Sequence, residues 1–171
     1  MKIDFAILDI IMDLLYLQKL KDNKKIGSQA IEGVSEQKIL ETQQKLGIMF
    51  PTAYKEYLFL AGKNSGNLHM LETDDLETLA SDFYKELLDE DLKETKTSFD
   101  RPFWAFASSI GDQGFWFFYL DENSENPETH YYSYEATEPY ESIVGSHGLS
   151  FSELVDSRID FGLKVEKDGI W

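Results

Sequence analysis

The sequence offers three histidines, His69, His130 and His147, as candidates for acid–base or metal chemistry. No two of them have the i, i+4 spacing that places two metal ligands on one helix face, and the chain has no cysteine to supply a thiolate. His69 and His130 fall in predicted strands, and we interpret them as partly exposed surface residues. His147 follows Ser146 in a predicted glycine-flanked loop, but the Gly-x-Ser-x-Gly pattern of a serine nucleophile is missing. The histidines therefore do not predict a catalytic or metal centre.

Two groups of carboxylates are similar in composition to functional motifs. A calcium loop that started at Asp121 would have Asn126 and Tyr132 at the positions where an EF-hand needs Gly and Glu. The acidic residues at 74–75 and 89–91 are adjacent on predicted helices, where neighbouring side chains diverge by about 100°. They do not converge as a catalytic acid–base pair must. We interpret all of them as solvated surface, and the sequence predicts no catalytic residue, metal or cofactor.

The negative charge is concentrated in the middle of the chain. The formal net charge is −16. Residues 72–100 hold eleven acidic residues against three lysines, and residues 112–141 hold eight acidic residues and no Lys or Arg. Such a field repels phosphate backbones, which argues against nucleic-acid binding. It favours encounter with a basic protein, although solubility alone is the other explanation of an acidic surface.

The composition indicates a folded protein of the cytoplasm. The 171 residues are 42% hydrophobic and include twelve Phe, nine Tyr and three Trp, enough for a real core. The absence of cysteine favours a reducing compartment. Three aspartates interrupt the apolar run 3–20, and each would cost about 2.5–3.5 kcal/mol at the centre of a membrane helix. We therefore expect an amphipathic helix there and no contact with a membrane.

Helices dominate the first part of the chain. Apolar periodicity and end signals predict helices over 3–20, 35–45, 51–61 and 74–93. Ser35 is a suitable cap for the second helix, and Gly47 is a suitable left-handed end for it. A short strand is predicted over 67–71. Phe83 is expected on the apolar side of the fourth helix.

Strands dominate the second part. The pattern of aromatic residues predicts strands over 103–108, 115–120 and 129–134, joined by short links that favour an antiparallel meander. The middle run lacks polar alternation, which predicts a central strand covered on both faces. Its aromatic residues and those of the third run fit either a core or a dimer interface. A last helix is predicted over 151–159, with Ser150 as its cap. Helices followed by strands predict an α+β fold, a mainly antiparallel sheet packed against several helices in a single domain over residues 1–171.

Several short motifs, in this order, resemble the SUKH superfamily over residues 29–160. They are Ile31-Glu32-Gly33-Val34-Ser35, Leu46-Gly47, Phe50-Pro51, Tyr54-Lys55, Tyr57-Leu58, Asn64-Ser65-Gly66, Phe106-Ala107, Gly111-Asp112, Phe115-Trp116-Phe117 and Phe151-Ser152-Glu153-Leu154. The resemblance implies an α+β fold in which Gly33, Pro51, Tyr54 and Gly111 are scaffold positions. The acidic helix over 74–93 and the apolar amino-terminal helix depart from the family pattern.

The resemblance implies a bacterial immunity protein that binds and neutralises a cognate toxin of a polymorphic or contact-dependent system. Combined with the charge, it predicts a basic toxin domain as the partner, plausibly a nuclease. The expected contact residues are acidic: Asp89, Glu90, Asp91, Asp121, Glu122 and Glu125. Two alternatives stay open. One is a non-enzymatic regulatory or scaffold module of the same fold, and the other is an enzyme with His147 or Asp112 in a cleft.

Overall fold

A computed structural model of the chain describes residues 14–68, 70–109, 114–134 and 142–170. In these segments the helices are α1 (Gln18–Asp22), α2 (Glu36–Leu46), α3 (Thr52–Ala61), α4 (Leu76–Leu79), α5 (Asp82–Glu94) and α6 (Phe151–Lys167). The strands are β1 (Lys25–Ile26), β2 (Gln29–Ala30), β3 (Phe103–Ser109), β4 (Gly114–Tyr119), β5 (Glu128–Tyr134) and β6 (Ser142–Ser150). The α+β class is confirmed.

The main sheet is an antiparallel meander with the strand order β3-β4-β5-β6. Its registers pair Trp104 with Phe118 and Phe115 with Tyr132. Strand β4 lies between β3 and β5, as predicted for the run without polar alternation. The short strands β1 and β2 form a separate antiparallel pair.

Aromatic side chains fill the core on both faces of the main sheet. On one face, Phe106 and Phe118 stack at 5.6 Å, and Phe151 at the start of α6 meets the Phe106 ring edge-on at 5.1 Å. On the other face, Phe115 stacks on Tyr132 at 4.8 Å, and Phe99 covers the neighbouring rings. The buried rings of β4 and Tyr132 of β5 therefore belong to the core of one chain.

The helix ends of α2 and α3 follow the predicted chemistry. The Ser35 hydroxyl accepts a hydrogen bond from the backbone N–H of Lys38, and Gly47 closes α2 in the left-handed region at φ 66°. Pro51 precedes α3, where its missing N–H costs no helical hydrogen bond. The turn between the two helices is held by Gln43, whose side-chain oxygen accepts the N–H of Phe50 at 2.7 Å.

The predicted amino-terminal helix differs from the structure where it can be compared. Residues 1–13 lie outside the described residues, residues 14–17 are not helical, and α1 begins only at Gln18. The reason is Glu56, a fully buried carboxylate on α3 that accepts three backbone N–H groups at 2.7–2.9 Å. They belong to Leu15, Tyr16 and Leu17. A buried carboxylate needs such donors, and the donors hold this stretch in a non-helical conformation.

Two further predictions between α3 and β3 are wrong. Residues 67 and 68 form a turn, in which the N–H of Leu68 bonds the carbonyl of Ser65, and residues 70 and 71 belong to no strand. The helix predicted over 74–93 is broken, because Ser81 ends the α4 turn and caps α5 through a hydrogen bond from the N–H of Tyr84. The break shifts the phase of the helix, so that Phe83, expected on the apolar side, is 68% exposed.

The last strand was missed and the last helix is longer than predicted. Strand β6 includes the glycine-flanked segment that the sequence predicts as a loop. Its small residues fit the sheet because Gly145 lies directly against the ring of Tyr131, where a Cβ atom would approach the hydroxyl oxygen to 2.6 Å. Helix α6 continues from Phe151 to Lys167, and its start is confirmed by a capping box between Ser150 and Glu153.

Replacing Glu56 should destabilise the fold more than replacing an exposed glutamate. In Glu56→Gln, one carboxylate oxygen becomes an NH₂ group that faces backbone donors, which leaves at least one of the three N–H groups without its acceptor. We expect the free energy of unfolding in urea to fall by about 3 kcal/mol. Glu77→Gln on α4 is the matched control, because Glu77 is exposed and should change stability by less than about 0.5 kcal/mol. Equal effects of the two variants would contradict the role given to Glu56.

Two glycine-to-alanine variants should separate the cost of a steric clash with the backbone from the cost of a left-handed backbone conformation. A Cβ atom on Gly33 would lie 1.7 Å from the carbonyl oxygen of Phe59, so Gly33→Ala must displace α3. Gly47 has open space around it, and its alanine variant carries only the cost of a left-handed φ, about 1 kcal/mol. Thermal unfolding should show a clearly larger loss for Gly33→Ala, of at least about 2 kcal/mol. If Gly33→Ala lost less stability than Gly47→Ala, the close approach of Gly33 to Phe59 would not be required for the fold.

Candidate acidic binding face

The first predicted contact group lies on α5. Asp89 and Glu90 are exposed on this helix, whereas Asp91 is partly buried and lines a small cavity with Ser108 and Phe115 of the sheet. Burial raises the pKa of Asp91, and the neighbouring carboxylates of Glu94 and Glu90 raise it further. Asp91 therefore faces the sheet, and the exposed charge of this group comes from Asp89 and Glu90.

The second group surrounds Arg101. The guanidinium of Arg101 donates to both carboxylate oxygens of Asp121 at 2.7–3.1 Å and to Glu122 at 3.1 Å. It also lies over the Tyr119 ring at 3.9 Å from the centroid. Arg101 lowers the pKa of the Asp121 carboxyl, mainly through these hydrogen bonds. Two acidic residues share one cation here, so this cluster keeps one net negative charge near neutral pH.

Glu125 lies apart from both groups. Its backbone carbonyl accepts the N–H of Ala53 at 2.9 Å, at the start of α3. Its carboxylate accepts the hydroxyl of Tyr16 at 3.3 Å. The contacts of Glu125 are therefore with the amino-terminal segment and α3 rather than with α5.

An apolar groove lies between α5 and the β3 edge of the main sheet, with Asp89 in its lining. It has a volume of about 270 Å³. Its apolar lining comes from the end of α2, α4, α5, β3 and the residue after β4: Leu46, Ile48, Leu79, Leu88, Phe103, Trp104 and Leu120. Asp82, Lys85 and Asp89 are the charged residues of the lining. Acidic side chains thus stand beside an apolar concavity, an arrangement suited to an apolar anchor that carries a flanking cation.

Sequence reasoning found the acidic residues of this face but missed the groove and Arg101. The groove is assembled from residues far apart in the chain, which no local pattern reveals. A signal for Arg101 does exist, because it is the only Lys or Arg between Lys96 and Arg158. It also precedes β3, whose first residue pairs with Tyr119 just before Asp121 in the antiparallel register.

The structure places His147 in β6, not in a loop. Its Nδ1 lies 3.2 Å from the Thr129 hydroxyl, and its ring packs against Trp116 and Tyr131. Burial lowers the pKa of His147, which favours the neutral ring at physiological pH. The Ser146 hydroxyl instead bonds the Glu128 carboxylate and accepts the N–H of Gly148, so the two neighbours point to opposite faces of the sheet. No Ser–His pair is formed there.

The other candidates for chemistry give no further site in the described segments. His130 lies in β5, as predicted, and its ring stacks on Phe117 at 5.3 Å. His69, Gly111 and Asp112 lie outside the described residues. In the segments that the structure covers, no group of three or more His, Asp or Glu side chains is placed to hold a metal ion. Within the same segments, none of the helices has the length and apolar character needed to cross a membrane.

Comparison with known proteins identifies the family. The family model described as "SMI1 / KNR4 family (SUKH-1)" matches residues 33–156, which is more than half of the chain. The chain therefore belongs to the SMI1/KNR4 (SUKH-1) family, and the predicted resemblance is confirmed. Among curated proteins and among solved structures, nothing matches the chain. The SUKH family is known for toxin-immunity roles, and its domains are generally non-catalytic.

Removing Arg101 should change the titration of its neighbours. In Arg101→Gln the carboxyl of Asp121 loses the guanidinium that lowers its pKa, so the pKa should rise toward the ordinary aspartate value near 3.9. Carboxyl carbon NMR shifts followed from acidic to neutral pH measure this change directly. Lys63→Gln is the control, because it removes a different exposed ion pair, that with Glu32. An unchanged Asp121 titration in Arg101→Gln would show that the guanidinium does not hold this carboxylate in solution.

Proposed function

We propose that this chain is an immunity protein that binds and neutralises a cognate basic toxin domain, and that it does so without catalysis. The observation that carries the proposal is the apolar groove lined by the exposed acidic residues Asp82 and Asp89, in a chain of the SUKH-1 family. Family membership supplies the class of function. The apolar groove and its acidic lining residues supply a surface to which a toxin can bind.

The charge favours a toxin that itself binds anions. A nuclease must attract phosphate groups, so its active site carries Lys and Arg side chains. An acidic surface is complementary to such a site and steers the two proteins together at low ionic strength. Asp89 and Glu90 are exposed, so they are available for this contact. The net charge of −16 adds a long-range attraction for a basic partner.

The groove gives the complex a way to hold the partner after encounter. Binding energy at protein interfaces concentrates in a few buried anchors surrounded by contacts that exclude water. An apolar side chain of the toxin between Leu88 and Leu120 would bury surface on both partners, and a Lys or Arg beside it would meet Asp89. Met49, 75% exposed beside Ile48, would extend the apolar contact.

Neutralisation by binding needs no reactive group on the immunity protein. His147 is held by Thr129 and two aromatic rings, and Ser146 faces away from it, which favours structural roles for both. The chain should therefore protect a cell by occupying the toxin in a one-to-one complex. A His147→Gln variant that folds should protect as well as the wild type does.

Co-expression tests this function most directly. The chain should co-purify with the toxin domain encoded by the neighbouring gene, restore viability to cells that produce it, and inhibit it in proportion to molar ratio. A toxin that stays active in the presence of excess folded protein would overturn the proposed function. Inhibition by catalytic amounts of the chain would overturn the non-enzymatic mechanism.

Charge reversal tests the binding face. In Asp89→Lys/Glu90→Lys, two exposed carboxylates beside the groove become cations, which should repel a basic toxin. We expect the association rate at low salt to fall by about tenfold or more and its dependence on salt to weaken. Stopped-flow fluorescence at several salt concentrations measures both quantities.

The matched control is Glu166→Lys/Asp168→Lys. It makes the same change of charge at exposed positions near the end of α6, outside the groove. We expect an association rate within about threefold of the wild type, since only the long-range field changes. If both double variants slow association equally, net charge rather than this face controls the encounter.

A further inference from the structure

Strand β6 forms one edge of the main sheet. It pairs with β5 on one side, and in the segments that the structure describes no strand lies on its other side. The opposite edge is partly covered, because Thr73 and Ser108 of β3 exchange two backbone hydrogen bonds at 2.8–2.9 Å. An uncovered edge presents backbone N–H and C=O groups that can pair with another strand.

The first part of β6 lacks two features that usually prevent such pairing. Charged side chains and proline protect most natural edge strands, and β6 contains neither. Residues 142–152 are the longest stretch without Asp, Glu, Lys or Arg in a chain of net charge −16. Ile143 and Val144 are each 46% exposed on this strand. Their exposure places apolar surface directly beside the open edge.

A local bend limits the regular part of the edge to its first half. Gly148 has a positive φ of 66°, and its N–H bonds the Ser146 hydroxyl at 2.8 Å instead of a strand. The register with β5 also shifts between Glu128 and His130, opposite this bend. The extended segment available for pairing is therefore Ser142–Ser146.

We propose that two copies of this chain pair through their β6 strands, antiparallel and centred on Val144, to form a continuous eight-stranded sheet. The sequence Ser-Ile-Val-Gly-Ser is self-complementary in this register. Val144 lies beside Val144 of the other copy on one face. On the other face, Ile143 lies opposite Gly145, which has no side chain and exposes the ring of Tyr131 above it to contact. Ser142 lies opposite Ser146.

The charge distribution favours a second copy over a toxin as the occupant of this edge. Under a two-fold axis one acidic surface meets the same acidic surface of the other copy, so an uncharged strip is where two copies of a strongly acidic chain meet with least repulsion. Screening beyond about 8 Å at physiological salt then limits the repulsion between the rest of the two surfaces. Strand β6 itself carries no carboxylate, and the Glu128 carboxylate beside it is already bonded to the Ser146 hydroxyl.

This inference does not depend on the proposed function, and the two surfaces are separate. The apolar groove is lined by Phe103, Trp104 and Ala105 of β3, which lies at the opposite edge of the sheet from β6. The dimer would therefore present two outward-facing grooves. Loss of dimerisation should leave each groove intact, which makes the two proposals testable apart from each other.

The cysteine-free sequence allows a register-specific test of the dimer. In Val144→Cys the two thiols would be directly opposite each other, within the Cα separation of 4.4–6.8 Å that a disulfide needs. In Ile143→Cys the two thiols would be diagonal neighbours at about 7–8 Å, which is too far. Met49→Cys places an exposed thiol at a distant site as a control. Mild oxidation followed by non-reducing gel electrophoresis should give a covalent dimer mainly for Val144→Cys.

Sedimentation velocity of the full chain at micromolar concentrations provides the second measurement. The wild type should sediment as a dimer, and Val144→Glu should be monomeric because two carboxylates would meet at the axis. Circular dichroism should show that Val144→Glu keeps its fold, and Met49→Glu should remain dimeric. A monomeric wild type, a Val144→Glu variant that stays dimeric, or equal cross-linking at positions 143 and 144 would each overturn the proposal.

Discussion

The packing of one tyrosine ring holds the helical and sheet halves of this protein together. Tyr54 of α3 is fully buried and lies within 6.4 Å, centroid to centroid, of rings from the α2–α3 turn, β3, β4 and α6. Several of these contacts are edge-to-face, the arrangement that aromatic quadrupoles favour. Burial also raises the pKa of Tyr54 well above its ordinary value, so the hydroxyl stays neutral in the core.

The predictability of each element depended on whether local chemistry determined its ends. Helices α2 and α3 could be predicted because Ser35, Gly47 and Pro51 act within a few residues of the ends they define. The amino-terminal segment could not, because the group that holds its backbone, Glu56, lies about forty residues away. Strand β6 was missed because glycine and serine carry little strand propensity, and its place in the sheet depends on Tyr131 in the next strand.

At the candidate site too, the sequence predicted what local residues determine and missed what depends on residues far apart in the chain. Charge can be read directly from the sequence, and so the acidic residues of α5 and of the segment after β4 were found. Their effective charge depends on partners that the sequence does not place. Asp121 and Glu122 are held by Arg101, Asp91 faces the sheet, and Asp89 stays exposed beside the groove. Acidic residues that looked equivalent in sequence therefore have different electrostatic roles.

The two edges of the main sheet differ in charge, and this difference suits one edge to binding a partner and the other to self-association. Next to β3, charged side chains border an apolar groove, and such a surface suits a partner of opposite charge because attraction brings the two together before the apolar contact forms. Strand β6 has no charged side chain, and it presents backbone groups and two exposed apolar side chains. Two copies of a strongly acidic surface repel each other, so a strip without charge is the surface that suits contact between two copies of this chain. Placing the two at opposite edges lets a bound partner and a second copy occupy the same sheet without competing.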